Sequence, residues 1–172
     1  MTWNFTKMQG LGNDFVVVSR PALPGDAPEK ARILCDRHFG VGADGLVFVL
    51  PSSRGDVTMR IFNADGTEAE QCGNAVRCVA RYFFERISGD KRELTVETRA
   101  GLQRVWLETS GGQVAAVRVD MGRPILQGRK IPTVIDRERV VEEPVEVEGV
   151  RFRFTAVSMG NPHAVIQVED AS

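Results

Sequence analysis

Strands dominate the pattern of apolar and polar residues along this chain. Runs in which apolar residues alternate with polar ones, or in which β-branched residues follow one another, are typical of strands. Such runs predict strands over residues 3–8, 15–18, 46–50, 57–62, 94–98, 102–108, 113–120, 145–148, 150–158 and 163–168. Glycine and asparagine turns separate most of these runs. The pattern therefore favours an α+β protein that is rich in strands.

Two segments have helical patterns. The first helix is predicted over residues 28–38, where Asp26 and Glu29 are spaced as in a capping box and Gly40 ends the pattern. The second is predicted over residues 74–87, and apolar residues also occupy its other faces, so we expect this helix to be buried centrally. Its regularly spaced apolar positions are Val76, Val79, Ala80, Phe83 and Ile87.

Composition excludes several classes of partner. The 172 residues include 22 Lys and Arg against 23 Asp and Glu, whereas a nucleic-acid-binding protein usually has a basic excess. The longest apolar run, residues 46–50, has five residues, whereas a membrane span needs about 20. Three cysteines are too few for a disulfide framework and suit a reducing compartment. We therefore expect a cytoplasmic protein without nucleic-acid or membrane partners.

One internal similarity suggests two related halves. Residues 12–18 and 160–166 both begin with Gly-Asn and continue into an apolar strand, and a methionine stands shortly before each. Coincidence is an alternative, because Gly-Asn before a strand is ordinary turn chemistry. If the similarity is real, the first domain covers residues 1–120 and a second, pseudo-equivalent domain begins at residues 121–172.

The residues that open the second helix are candidates for chemistry. A thiol at a helix N-terminus faces the positive end of the helix dipole, which favours the thiolate form of Cys72. Gly73 permits close approach of a ligand, and the free N–H groups of Gly73 and Asn74 could bind a carboxylate. The alternative is that Cys72 is simply a small buried side chain. For Cys78, inside the helix, that structural interpretation is preferred.

Other motifs predict no metal or nucleotide site. Five residues separate Cys72 from Cys78, and only His38 and His163 remain as nitrogen ligands, so the spacing does not suit zinc. The glycine-rich residues 40–45 follow a helix and precede a strand, the reverse of a dinucleotide site, and are interpreted as a turn. His38 is typical of a helix end. His163, two residues after a Gly-Asn turn, is the better catalytic candidate.

Five motifs occur together in one order along the chain: residues 5–15, 37–45, 60–66, 72–78 and 159–163. In these motifs and in their order, the chain resembles the diaminopimelate epimerases over nearly its whole length. The resemblance implies a cofactor-independent isomerase that interconverts LL- and meso-diaminopimelate in lysine and peptidoglycan-precursor biosynthesis. It also implies two pseudo-symmetric domains, each a mostly antiparallel sheet wrapped round a central helix, with the second domain incomplete here.

The resemblance also implies roles for individual residues. The family uses two cysteines on opposite faces of the substrate's α-carbon, and Cys72 matches the first of them. The matched residues are Cys72 and His163 as catalytic groups, and Asn13, Asn63, Gly73, Asn74 and Asn161 as substrate-binding groups. No cofactor and no metal are implied. The expected partner is the small amino-acid substrate, and a homodimer is an assembly that the resemblance allows.

The chain departs from the family pattern in several places. Gln71 stands where the family usually has Glu, Ala75 where it usually has Gly, and Gly45 where some members have Gln. The second cysteine is also missing: Cys72 follows Asn13 by 59 residues, and the same interval after Asn161 passes the last residue. We therefore expect a truncated chain that is inactive by itself. A related racemase for another amino acid and a non-catalytic amino-acid-binding fragment are the alternative interpretations.

Overall fold

The computed structural model describes residues 3–170, which form two compact units. The first unit ends at Asp120 and the second begins at Met121. The elements of the first unit are β1 (Thr6–Gly10), β2 (Asn13–Ser19), α1 (Ala27–Cys35), β3 (Gly45–Leu50), β4 (Val57–Asn63), β5 (Glu68–Ala69), α2 (Gly73–Phe83), β6 (Glu93–Thr98), β7 (Gly101–Ser110) and β8 (Gln113–Val119). Those of the second are β9 (Glu143–Val147), β10 (Val150–Ser158) and β11 (Pro162–Ile166).

The first unit is one mixed sheet wrapped round α2. Its strand order is β1-β2-β3-β4-β6-β7-β8, and the short β5 pairs with β4. The β2–β3 and β4–β6 pairs are parallel, and the others are antiparallel. Helix α2 contacts strands across the sheet, including β1 and β8 at its two edges. The predicted α+β class, with a mostly antiparallel sheet round a central helix, is confirmed.

The central strands are buried on both faces. In β3, Val47 and Val49 belong to the core that surrounds α2, whereas Leu46 and Phe48 belong to a second core beneath α1. Alternate residues of a strand point to opposite faces, so one strand contributes to both cores. A strand covered on both sides is continuously apolar, which explains the unbroken apolar run at residues 46–50.

Helix α1 is shorter than predicted. It ends at Cys35 instead of His38, because Asp36 leaves the helical conformation with ψ of 126°. The Asp36 carboxylate then accepts hydrogen bonds of 2.7 Å from the backbone N–H groups of His38 and Phe39. An aspartate that binds nearby backbone groups competes with the helix in this way.

The predicted capping box of α1 is also wrong. Asp26 precedes the helix but makes no side-chain cap hydrogen bond. Its carboxylate instead lies 3.6 Å from Lys30 Nζ, one turn further along the helix. The Asp26 carboxylate therefore pairs with the side chain of Lys30 and does not cap the helix.

The second predicted helix changes form near its end. Helix α2 stops at Phe83, and a π-helical turn follows over Phe84–Ser88. A π-helical turn holds more residues than an α-helical turn, so later side chains rotate away from the regular apolar face. Ile87, predicted to face the core, is 53% exposed. Within residues 3–170, no helix combines the length and the apolar character needed to cross a membrane.

The second unit contains a three-stranded antiparallel sheet in the order β11-β10-β9. A small cluster of Ile131, Val140 and Ala156 forms its core. The Gly-Asn segment between β10 and β11 joins two antiparallel strands, as the one between β1 and β2 does in the first unit. Gly12 and Gly160 both have positive φ, 93° and 100°, a conformation that favours glycine. The two similar sequences therefore have similar local structures.

Candidate active site

Cys72 stands immediately before helix α2. Its backbone is extended, and its carbonyl accepts the first helical hydrogen bond, 2.9 Å from the N atom of Val76. Gly73 and Asn74 are the first two helical residues, so their N–H groups have no acceptor within the helix. The half-buried thiol of Cys72 and the backbone N–H groups of Gly73 and Asn74 thus lie within one turn, at the positive end of the helix dipole.

The other two thiols have a different environment. Cys35 and Cys78 are both buried in the core, whereas Cys72 is partly exposed. Burial raises the pKa of Cys35 and the pKa of Cys78 to about 11, because a thiolate is poorly solvated in the core. Among the three cysteines of the described residues, only Cys72 is exposed enough to meet a molecule from solvent.

A chain of side-chain hydrogen bonds runs past the start of α2. Asn74 Nδ2 donates to Asn13 Oδ1 at 2.6 Å, and Asn13 Nδ2 donates to Asp44 Oδ2 at 2.9 Å. At the other end, Arg77 Nη2 donates to Asn74 Oδ1. A Cβ atom added to Gly10 would lie 3.1 Å from the Asn74 carbonyl oxygen, so the end of β1 lies directly against this turn of helix. Asn13 and Asn74, 61 residues apart in sequence, are therefore direct neighbours.

An ion cluster anchors the Asp44 end of this chain. Asp14 lies between two cations, 2.8 Å from Lys7 Nζ and 2.8 Å from Arg37 Nη2. The same Arg37 nitrogen lies 2.7 Å from Asp44. Hydrogen bonds from Arg37 and Lys7 hold the pKa of Asp14 well below its usual range, and the hydrogen bond from Asn13 lowers the pKa of Asp44. Both carboxylates are therefore ionised at neutral pH.

Asn63 lies at the same end of the sheet. It ends β4 opposite Gly45 of β3, and Gly45 in turn pairs with Phe15 of β2, two residues after Asn13. Its side chain donates from Nδ2 to Thr67 Oγ1 at 2.9 Å, which holds the turn that follows β4. The strand register, rather than proximity in sequence, brings these positions to one end of the sheet.

Asn161 and His163 belong to the second unit. Asn161 lies in the turn before β11, and the ring Nδ1 of His163 is 2.8 Å from the Asn161 carbonyl oxygen. Both residues are exposed. Because a carbonyl oxygen can only accept, Nδ1 is the donor in this contact, and Nε2 is the ring nitrogen left for another partner.

The structure brings together five of the seven predicted site residues within the first unit. These are Asn13, Asn63, Cys72, Gly73 and Asn74. The sequence did not indicate the contributions of Arg77 and Asp44 to this region. Asp44 lies within residues 40–45, the glycine-rich segment that was interpreted only as a turn. Neither spacing nor periodicity signals their contacts with Asn13 and Asn74.

Comparison with known proteins identifies the family. The model of the family described as diaminopimelate epimerase matches residues 5–127. The chain belongs to the diaminopimelate epimerase family. It is 52% identical over 171 residues to the diaminopimelate epimerase of Moorella thermoacetica, covering 98% of this chain and 61% of the relative. It is 54% identical over 170 residues to that of Pelotomaculum thermopropionicum, covering 97% and 61%. The chain thus spans about 60% of the length of these curated relatives, and the resemblance inferred from its motifs is confirmed.

Solved structures with the same fold are more distant in sequence. A probable proline racemase from Agrobacterium radiobacter, solved with bound carbonate, matches with a TM-score of 0.74 and 18% identity, covering 96% of this chain and 52% of that one. A hydroxyproline epimerase from Agrobacterium vitis, solved with bound trans-4-hydroxy-L-proline, matches with a TM-score of 0.70 and 18% identity, covering 94% and 50%. These similarities show that this chain has the fold of about half of each of those structures.

The three residues that depart from the pattern of the diaminopimelate epimerase family, Gly45, Gln71 and Ala75, are all buried. Ala75 is fully buried in the first turn of α2, where alanine favours the helix. Gln71 is also buried, directly before Cys72. At Gly45, an added Cβ atom would lie 3.0 Å from the carbonyl oxygen of Phe62. A larger residue at position 45 would therefore require β4 to move.

Proposed function

We propose that the protein carrying this sequence epimerises LL-diaminopimelate to meso-diaminopimelate without a cofactor, in lysine and peptidoglycan-precursor biosynthesis. One observation of the structure supports the proposal above others: Cys72 stands at the N-terminus of α2, beside the amides of Gly73 and Asn74. The names of the curated relatives point to the same reaction.

In the proposed reaction, the Cys72 thiolate removes the proton from the substrate's α-carbon. The amides of Gly73 and Asn74 bind the adjacent carboxylate. Negative charge spreads onto this carboxylate as the proton leaves, so amides held in place by the helix stabilise the transition state more than the ground state. A general base positioned in this way typically contributes a factor of about 10²–10⁴ in rate.

The remaining polar residues are proposed to hold the substrate. Asn13 and Asn63 lie at the same end of the sheet, and Asn13 also contacts Asn74, two residues after Cys72. The amides of both residues can donate and accept hydrogen bonds. Asn161 is proposed as a further substrate contact. His163 is proposed to assist proton transfer through Nε2, because its Nδ1 is occupied by the Asn161 carbonyl.

Inversion requires an acid on the face opposite the base. The two other thiols, Cys35 and Cys78, are buried, and burial raises their pKa values to about 11, so neither suits this role. We propose that the chain of 172 residues does not epimerise its substrate by itself. Purified chain of this length, checked for folding by circular dichroism, should yield no meso product from LL-diaminopimelate. Turnover at the rate of the protein made from the complete gene would contradict this prediction.

The cellular setting belongs to the same proposal. We propose a cytoplasmic enzyme whose partner is a small amino-acid substrate, with neither nucleic acid nor membrane as a partner; a homodimer is only an assembly that the resemblance allows. The balanced charge of 22 basic and 23 acidic residues supports the absence of nucleic-acid binding.

The test compares protein made from the complete gene with two cysteine variants. Product chirality and deuterium incorporation at the α-carbon are measured in D₂O with LL-diaminopimelate, L-proline and L-histidine. We expect turnover of diaminopimelate alone, with a loss of at least about 10²-fold in Cys72→Ala. Cys78→Ala, which removes a buried thiol, is the matched control and should keep most of the activity. Turnover of proline or histidine without diaminopimelate would favour a related racemase, and no turnover of any substrate would favour a binding protein.

A further inference from the structure

The amide chain beside Cys72 ends in opposite charges. Its two central members are the side chains of Asn13 and Asn74, joined by a hydrogen bond of 2.6 Å. The carboxylate of Asp44 terminates one end and the guanidinium of Arg77 the other. This arrangement links the start of β2, the loop before β3 and the first turns of α2.

The charged ends determine the orientation of both amides. A carboxylate can only accept hydrogen bonds and a guanidinium can only donate them. The Nδ2 atom of Asn13 must therefore face Asp44, and the Oδ1 atom of Asn74 must face Arg77. With both ends fixed, the hydrogen bond between the two amides must run from Asn74 Nδ2 to Asn13 Oδ1, as observed. Every donor points the same way along it, an arrangement in which each hydrogen bond strengthens the next.

We propose that Asp44 and Arg77 are positioning residues, which act on the substrate through Asn13 and Asn74. Each amide uses one N–H in the chain and keeps a second N–H, which is held ready to donate to the carboxylate bound at the start of α2. Without Asp44, the amide of Asn13 could turn and present its oxygen to that carboxylate, which would repel it. The proposal rests on the proposed function, since it assumes an anionic group beside Cys72.

A merely structural role for Asp44 is the competing explanation. Its carboxylate also accepts from the backbone N–H of Asp14 at 3.1 Å and pairs with Arg37 at 2.7 Å. Loss of its charge could therefore weaken the fold. The variant Arg37→Gln separates the two roles. It removes the ion pair with Asp44 but leaves in place the carboxylate oxygen that accepts from Asn13.

The experiment uses protein made from the complete gene and measures kcat, KM and Tm. The variants are Asp44→Asn, Arg37→Gln, Arg77→Lys and Arg77→Gln. Arg54→Gln is the matched control, because it removes another exposed partner of a carboxylate, Glu97, at the opposite end of β3. Side-chain amide ¹⁵N–¹H spectra of Asn13 and Asn74 report the hydrogen bonds without reference to activity.

We expect Asp44→Asn to lower kcat/KM about tenfold or more, the loss typical of a hydrogen bond to a charged group. Most of this loss should lie in kcat, since the interaction strengthens as charge develops. Arg37→Gln should lower the Tm by at least as much as Asp44→Asn, because Arg37 pairs with both Asp14 and Asp44, but it should keep most of the activity. Arg77→Lys should retain more activity than Arg77→Gln. Arg54→Gln should match the wild type.

Three results would overturn the proposal: a kcat/KM of Asp44→Asn within twofold of the wild type, equal losses of kcat/KM in Arg37→Gln and Asp44→Asn, or equal losses in Arg77→Lys and Arg77→Gln. A wild-type protein that does not turn over LL-diaminopimelate would instead refute the proposed function. In that case the amide spectra still decide on the chain itself. Unchanged Asn13 and Asn74 signals in Asp44→Asn would show that Asp44 does not position these amides.

Discussion

Alkylation of the three cysteines provides a quantitative test of how strongly the fold makes their thiols differ in reactivity. Burial raises the pKa of Cys35 and of Cys78 to about 11. At about pH 7.5 such a thiol is only about 0.03% ionised, whereas a free thiol with a pKa of about 8.5 is about 10% ionised. Since the thiolate is the reactive form, the ionisation difference alone slows the two buried thiols about 300-fold relative to a free thiol. Their lack of solvent contact slows them further.

We therefore predict that Cys72 is alkylated at least about 10²-fold faster than Cys35 or Cys78 in the folded protein. The assay is brief treatment with iodoacetamide between pH 5 and 9, followed by mass spectrometry of the three cysteine-containing peptides. The reaction of the two buried thiols should accelerate about tenfold per pH unit throughout this range, because it lies below their pKa of about 11.

The control is the same protein in concentrated urea, where all three cysteines should react at similar rates. A substrate carboxylate should protect Cys72 in protein made from the complete gene if the amides of Gly73 and Asn74 bind it. Equal rates for all three thiols in the folded protein would refute the reasoning, because they would show that Cys35 and Cys78 are not shielded.

Two further predictions concern stability. The raised pKa values of Cys35 and Cys78 favour the folded state fully below the unfolded thiol pKa of about 8.5, and this stabilisation is lost as the pH rises towards 11. Urea unfolding should show a decrease of about 2–3 kcal/mol per thiol over this window, and an unchanged midpoint would contradict it. Phe48→Ala should lower the free energy of unfolding by about 3–5 kcal/mol, because Phe48 is fully buried in the core beneath α1. Phe39→Ala, at a 95% exposed position, is the control and should change it by less than about 0.5 kcal/mol; equal losses would contradict the assigned packing.

Local periodicity was sufficient to predict most elements of this fold. The strands at β3, β4 and β10 lie almost where alternation and β-branched runs place them, because the period of two follows from the backbone of a single strand. The burial of α2 was also predictable, since its apolar residues occupy several faces. The order of motifs along the chain was likewise enough to indicate the family, which the match over residues 5–127 established.

The ends of the helices could not be predicted in the same way. Asp36 ends α1 by binding two backbone amides, and the π-helical turn at Phe84–Ser88 turns Ile87 away from the core. Each of these outcomes depends on a competition between hydrogen bonds of similar strength. Small differences in packing decide such competitions, and the apolar pattern does not encode them.

The sequence by itself determined which residues could carry chemistry: a cysteine before a helix, a glycine beside it and several asparagines in turns. Only the tertiary structure decided how they are held. The parallel pairing of β2 with β3 brings Asn13 to Asp44, and the packing of β1 and β2 on α2 brings Asn13 to Asn74 across 61 residues of sequence. Hydrogen bonds of this kind depend on atoms that approach only after the chain has folded. Their partners therefore leave no periodic signal in the sequence.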